Sequence, residues 1–233
     1  MSMVIMNGSP KAERGKSELF IRKFIEGMQE ADSQQKTEES GEQQSMQKTV
    51  CEVCYTAKED HEKLAQKLQE HDEIVIVFPL YVHAMPGSVK KVLEYMKSVE
   101  SSGKKLGFII QYGFVEGAQS RYVVRYLEAF IRKMNYESIG IAVHGGSAGV
   151  SEMPEKMNRK LFEQLQILGK SYAETGTFSK DAISILQTPY ELTKKQAKMY
   201  EFMAKLGLTD SMWWNSQLKK NGAMKNRFDR PFA

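Results

Sequence analysis

The sequence is short of the residues that build cross-links and metal centres: 2 cysteines and 4 histidines in 233 residues. Two cysteines cannot make a disulfide framework. A zinc or iron–sulfur site would need two more protein ligands than Cys51 and Cys54 provide, and no two histidines have metal-ligand spacing. The pair does form a Cys-x-x-Cys. Redox dithiols of that kind open a helix after a strand, whereas Cys51 falls inside the strand-like run Thr49 to Val53, which sends the two thiols to opposite faces. Ordinary thiols in a reducing compartment are expected. Long apolar runs are missing too: nothing approaches the roughly 20 residues that span a bilayer. The opening stretch Met3 to Met6 is too short for a secretory core segment and leads directly into Asn7-Gly8-Ser9-Pro10. A cytoplasmic protein is expected, without membrane attachment. Charge of one sign is also scarce, with a net charge of +4. Lysine and arginine alternate with acids along most helical segments, which marks solvated faces rather than a nucleic-acid stripe. Only the end of the tail, with Lys219, Lys220, Lys225, Arg227 and Arg230, departs from this, and no nucleic-acid partner is expected.

What is present is ordinary for a globular chain: 41% hydrophobic and 27% charged residues. A chain of this size removes roughly 70% of its unfolded surface from water. Short apolar runs recur at Met3 to Met6, Thr49 to Val53, Ile74 to Phe78, Leu106 to Ile110 and Ile139 to Val143. Several are apolar at nearly every position, as parallel strands covered on both faces must be. Helical stripes lie between them: Ile21, Phe24, Ile25, Met28; then Val89, Val92, Leu93, Met96; then Val123, Leu127, Phe130, Ile131, Met134; then Leu161, Leu165, Leu168, Tyr172. Strand–helix alternation of this kind predicts right-handed βαβ units in an αβα sandwich. Asp32 to Lys48 is almost wholly polar and is expected to be a mobile surface excursion. After Gly176 the alternation stops. Met199, Phe202, Met203 and Leu206 make one more stripe, with Gly207 as its expected left-handed cap. Met212, Trp213, Trp214 and Leu218 follow, and so much apolar surface has to be covered by the domain or by a partner subunit.

The first strand runs into Asn7-Gly8-Ser9-Pro10-Lys11-Ala12-Glu13-Arg14-Gly15-Lys16-Ser17, and a helix begins near Ser17. Free backbone N–H groups and the positive end of a helix dipole meet at such a turn, which suits a phosphate. Ser9 and Ser17 offer hydroxyls; Lys11 and Lys16 offer charge. Gly15-Lys16-Ser17 invites comparison with the P-loop of nucleotide triphosphatases, but the required first glycine falls on Pro10. No apolar run ends in the aspartate that such an enzyme needs for magnesium.

This turn resembles the phosphate loop of the NADPH-dependent FMN reductase and quinone reductase branch of the flavodoxin-like proteins. A second block agrees: Pro79-Leu80-Tyr81-Val82-His83-Ala84-Met85-Pro86-Gly87-Ser88-Val89-Lys90 is similar to the family's P-x-Y-x-x-x-x-P-G-x-x-K. The likeness covers residues 1 to about 176, and the tail from Trp213 to Pro231 is similar to one that some members carry. It implies a five-stranded parallel sheet of order 2-1-3-4-5, with residues 1–177 as the flavin domain and 178–233 as a helical extension. Ligands of such sheets sit at the carboxyl ends of the strands where the order reverses.

The resemblance further implies FMN as cofactor, NAD(P)H as electron donor, a small-molecule electron acceptor and a homodimer. By position, Ser9, Lys11, Lys16 and Ser17 surround the phosphate, and Pro79, Leu80, Tyr81 and Val82 contact the isoalloxazine, largely through main chain. Gln111, Tyr112, Gly113 and Phe114 form the other side. No obligate catalytic residue is assigned, because the flavin carries the hydride chemistry. Two departures stand out. Gly15-Lys16-Ser17 replaces the more usual Ser-Asn-[ST], exchanging hydrogen-bonding groups for a flexible cation. The loop after the fourth strand lacks the Gly-Gly of relatives, and Tyr112 and Phe114 are expected to narrow it. His83 and His144 follow strands on the same edge but read first as hydrogen-bonding residues. Gly145-Gly146-Ser147-Ala148-Gly149 reads as a turn. An electron-carrying flavodoxin fits poorly with +4 net charge, since such carriers dock through acidic surfaces. A flavin-free binding or regulatory module on the same fold stays open as an alternative.

Overall fold

The structure is a computed structural model that describes residues 2–38, 51–99, 103–206 and 210–229. Five strands form one parallel sheet in the order β2-β1-β3-β4-β5: β1 Met3–Asn7, β2 Cys51–Tyr55, β3 Glu73–Pro79, β4 Lys105–Gln111 and β5 Glu137–His144. Every residue of β1 and β3 is buried, as a central strand with helices on both faces requires. The registers Ile5↔Val75 and Val75↔Gly107 align the strand ends so that Asn7, Pro79, Gln111 and His144 reach one edge together.

Helices α2 His61–Glu70, α3 Gly87–Tyr95 and α4 Arg121–Lys133 cover one face; α1 Lys16–Glu38 and α5 Glu155–Thr175 cover the other. Alternate strand residues serve the two cores: Val4 and Ile74 face the first, Ile5 and Val75 the second. α2 is short and carries only Leu64, Ala65 and Leu68 to the core. Its start is fixed by Asp60, whose carboxylate accepts the amides of Glu62 and Lys63. The polar excursion expected from Asp32 is helical through Glu38 as the end of α1. Its Gln, Lys and Glu are good helix formers that need no buried face. Residues 39–48 lie outside the described residues, as does Gly207, the expected cap of the tail stripe.

Two glycines set how closely α1 and α5 approach. A Cβ on Gly27 would fall 2.0 Å from the Gln166 carbonyl oxygen, and one on Gly169 would fall 2.0 Å from the Phe24 carbonyl oxygen. Backbone meets backbone there, so the loops at the two helix starts lie side by side. α5 ends at Gly176 in the left-handed conformation, and α6 Lys180–Leu186 returns Ala182 and Leu186 to the same core.

The chain divides into two compact units, 1–190 and 191–233. The second contains α7 Lys194–Lys205, opened by a reciprocal capping box between Thr193 and Gln196, and α8 Asp210–Lys220. α7 has no buried residue; Phe202, Leu206, Trp214 and Phe228 in this unit are exposed.

Candidate functional site

At the carboxyl edge the β1–α1 turn is folded by its own polar side chains. The Ser9 amide donates to Asn7 Oδ1 at 3.0 Å, while Asn7 Nδ2 donates to Glu18 Oε2 at 3.0 Å. Ser9 Oγ accepts the Lys11 amide at 3.2 Å. Ala12 takes φ 47, a left-handed value that lets a single 3-10 turn close over residues 12–14. The acids in the turn are engaged: Glu13 pairs with Lys58, and Glu18 holds Asn7. α1 starts at Lys16, so the amides of Lys16 and Ser17 fall outside its hydrogen-bond ladder.

Ser17 is the telling residue. It is 0% exposed, and its hydroxyl has no hydrogen-bond partner. Buried hydroxyls are nearly always paired, and an unmet one costs about 1–3 kcal/mol. Ser9 Oγ lies within the same turn and donates its own proton to none of the described residues. Gly15 lets the chain pass close against Ser9, since a Cβ there would fall 2.2 Å from Ser9 Oγ. Two serine hydroxyls, the first amides of a helix and two lysines form a donor set suited to a phosphate monoester. Lys11 is exposed. Lys16 is half-buried and donates from Nζ to the Ala148 carbonyl in the loop after β5. Burial lowers its pKa, with Glu152 acting in the opposite direction.

The β3–α3 bend stands on the same edge. The Gly8 amide donates to the Val77 carbonyl at 2.8 Å, and Ser88 Oγ reaches Thr56 Oγ1 at 3.3 Å beside Asn7. Pro79 and Leu80 are buried, with the Leu80 amide on the Gln111 carbonyl at 2.8 Å. Tyr81 and Ala84 then exchange both backbone hydrogen bonds around Val82 (φ 47) and His83 (φ 65). Two consecutive left-handed residues make a tight two-residue hairpin turn that normally calls for Gly or Asn. A β-branched residue there is strained by roughly 1–3 kcal/mol. Tyr81 is 48% exposed and Val82 93%. The Val82 amide has no partner among the described residues, and His83 Nδ1 lies 3.2 Å from the Gln119 carbonyl.

The loop after β4 splits in two. Gln111 and Tyr112 turn inward: Ser147 Oγ donates to Gln111 Oε1 at 2.5 Å and to the Tyr112 carbonyl at 2.9 Å, and the Tyr112 hydroxyl donates to Glu116 at 3.1 Å. Burial raises the Tyr112 pKa. Gly113 and Phe114 are open, with Phe114 67% exposed. The candidates thus gather on one edge but in two kinds, buried supports (Pro79, Leu80, Gln111, Tyr112) and exposed contacts (Tyr81, Val82, Gly113, Phe114).

His144 packs against Phe20 at 5.9 Å and directs Nδ1 to the Leu186 carbonyl at 2.8 Å; its pKa is lowered by burial. That geometry marks a neutral, structural imidazole. Cys54 is buried with its thiol on the Ile5 carbonyl, and burial pushes its pKa up to about 12, which leaves it protonated and unreactive. Among the described residues no group of His, Cys, Asp and Glu could hold a metal ion, and no helix is long and apolar enough to cross a membrane. Sequence reasoning passed over Asn7, Thr56 and Ala148. Asn7 stood inside the quoted motif, whereas no local signal marks Ala148, which matters only through a contact 132 residues distant.

A doubly wound sheet with a phosphate-type turn at its switch point is an arrangement shared by flavin- and nucleotide-binding proteins. The sequence matches the NADPH-dependent FMN reductase family over residues 1–136, more than half of its length, and the chain belongs to that family. FMN is the family's cofactor and NAD(P)H its electron donor. The donor set around Ser17 fits the phosphate end of that cofactor. No curated protein sequence matches the chain.

Solved structures resemble it at low identity. An FMN-dependent NADH-azoreductase from Bacillus anthracis str. Ames Ancestor, in complex with FMN, has 13% identity and a TM-score of 0.55, over 74% of this chain and 100% of that one. An NAD(P)H:quinone oxidoreductase from Methanothermobacter marburgensis has 13% identity and a TM-score of 0.52, over 73% and 96%. An azoreductase from Bacillus anthracis str. Sterne has 15% identity and a TM-score of 0.51, over 73% and 100%. The likeness is one of fold.

Proposed function

We propose that this NAD(P)H-dependent FMN oxidoreductase reduces a quinone, a nitro compound or a similar small acceptor. One observation carries the assignment of the site: the buried, unpartnered Ser17 hydroxyl beside Ser9, on the edge that also bears the 81–84 hairpin. Ser9, Lys11, Lys16 and Ser17 hold the phosphate, with the amides of Lys16 and Ser17 completing the cradle. Pro79 to Val82 meet the ring, and the free Val82 amide is the donor offered to it. Gln111 and Tyr112 brace the opposite wall from beneath, while Gly113 and Phe114 line it. Bound FMN supplies hydride acceptance and donation at its ring. The chain's own residues would orient that ring between the 79–82 bend and the 111–114 loop. No general acid is required of them. Exposed Tyr81, Val82 and Phe114 favour a flat, apolar acceptor.

The family resemblance in the tail and the exposed aromatic residues of unit 191–233 support a homodimer. Composition and the reducing-type thiols support a cytoplasmic setting. The test is direct. Purified protein mixed with FMN is expected to quench flavin fluorescence and to oxidise NAD(P)H when a benzoquinone is added. Protein that leaves FMN fluorescence unchanged sinks the assignment; flavin binding without quinone-dependent turnover restricts the correction to the acceptor.

A further inference from the structure

The loop 145–154 carries no part of the flavin site as assigned above, yet it is tied to both ends of that site. On the ring side, Ser147 donates from its amide to the Tyr112 carbonyl at 2.9 Å and from Oγ to Gln111, while the Gly146 amide donates to the Phe114 carbonyl at 2.6 Å. Ala148 lies against Gly113, where an added Cβ would meet the Ala148 Cβ at 3.4 Å. On the phosphate side, the Ala148 carbonyl accepts Lys16 Nζ. On the α5 side, Asn158 Nδ2 donates to the Val150 carbonyl at 2.8 Å. A groove of about 620 Å³ runs beneath this connection, with Gly15, Lys16, Val150 and Phe162 among its lining. One residue, Ala148, therefore borders Gly113 of the ring-side loop and holds the phosphate-side lysine with its carbonyl.

We propose that Lys16 makes the loop 145–154 the second jaw of the phosphate site, so that gripping the phosphate tightens this loop against Gly113 and Phe114. An ammonium has three donors and Ala148 occupies one, which leaves two for phosphate oxygens. A lysine is otherwise a flexible point charge that loses rotamer freedom on binding. The Ala148 carbonyl holds this one in place beforehand, which removes much of that loss. The dianion in turn keeps the ammonium in its half-buried position and strengthens the bond that tethers the loop. Phosphate recognition and the shape of the ring-side wall become one event, and Lys16 is a positioning residue as well as a phosphate ligand.

The proposal rests on the flavin assignment above, and the experiment separates the two. Hydrogen exchange of residues 146–153 is measured on the full chain alone, with FMN, and with saturating riboflavin, which has the same ring and no phosphate. In the wild type, FMN is expected to slow exchange about fivefold or more beyond riboflavin, the signature of a stabilised local opening equilibrium. In Lys16→Met the loop is expected to exchange faster without ligand, and the FMN–riboflavin difference disappears. FMN affinity falls about tenfold in that variant while riboflavin affinity stays within about twofold. Lys16→Arg, which keeps a donor and a charge, restores part of the difference. Equal protection by the two flavins, or a difference that survives Lys16→Met, overturns the coupling and leaves the flavin assignment standing. Failure of either flavin to bind overturns both.

Discussion

The two edges of the same sheet are built on opposite terms. At the amino edge, Glu73 opens β3 and Lys105 opens β4; their side chains meet at 2.9 Å, and the second Glu73 oxygen accepts the Tyr172 hydroxyl. Asp72 accepts the Ser2 amide at 2.9 Å, and Lys104 donates to the His71 carbonyl at 3.1 Å. The charges named here each have a partner, although His71 Nδ1 beside them is buried without one. At the carboxyl edge, Ser17 is buried without a partner, Val82 and His83 sit in left-handed backbone, and Phe114 projects into solvent. Satisfied polar groups mark where the fold secures itself. At the carboxyl edge an unmet hydroxyl and strained backbone, both of which cost stability, stand together.

That contrast can be broken from either side. The largest effect is expected at the amino edge: Lys105→Met leaves Glu73 buried without its cation and lowers unfolding free energy by about 3 kcal/mol, read from urea denaturation. FMN affinity should change little, because the lysine lies at the far end of β4. An equal loss of flavin binding would mean that the two edges are not independent. At the carboxyl edge, Ser17→Ala should do the reverse. Stability is expected to hold or to rise by up to about 1 kcal/mol, because an unpaired buried hydroxyl is removed, while FMN affinity drops about tenfold. A clear fall in stability would instead place a hidden partner on that hydroxyl. The smallest effect is Val82→Gly, which relieves a left-handed β-branched residue and should raise stability by about 1 kcal/mol in the flavin-free protein, less the added entropy of the unfolded glycine. A rise in melting temperature of a few degrees would register it.

How much of this was legible in the chain differs between the edges too. Ile74 to Phe78 and Leu106 to Ile110 announced central strands because both faces of β3 and β4 are covered. The α1 and α5 stripes likewise matched their buried faces. α2 was passed over although Leu64, Ala65 and Leu68 fall at i, i+1 and i+4, because so short a stripe stands out little along the chain. Asp32 to Glu38 looked disordered by composition but continues a helix that was already nucleated. Ser9 and Ser17 were readable from their place between strand and helix. The 81–84 hairpin was not: Tyr81-Val82-His83-Ala84 holds none of the Gly, Asn or Asp that signal such a turn, because the tertiary frame imposes it. Nor could sequence show that Gln111 and Tyr112 point inward while Phe114 points out, or that Lys16 reaches Ala148. Those facts depend on how neighbouring strand ends meet, and adjacency along the chain does not encode that.

The hairpin at 81–84 has a consequence for how this protein can change. Its shape is held by paired backbone groups of Tyr81 and Ala84, and the Val82 side chain touches almost nothing. Replacements at position 82 therefore leave the interior untouched, and Phe114 across the loop enjoys similar freedom. Both tips could therefore vary without disturbing the packed core or the β1–α1 turn.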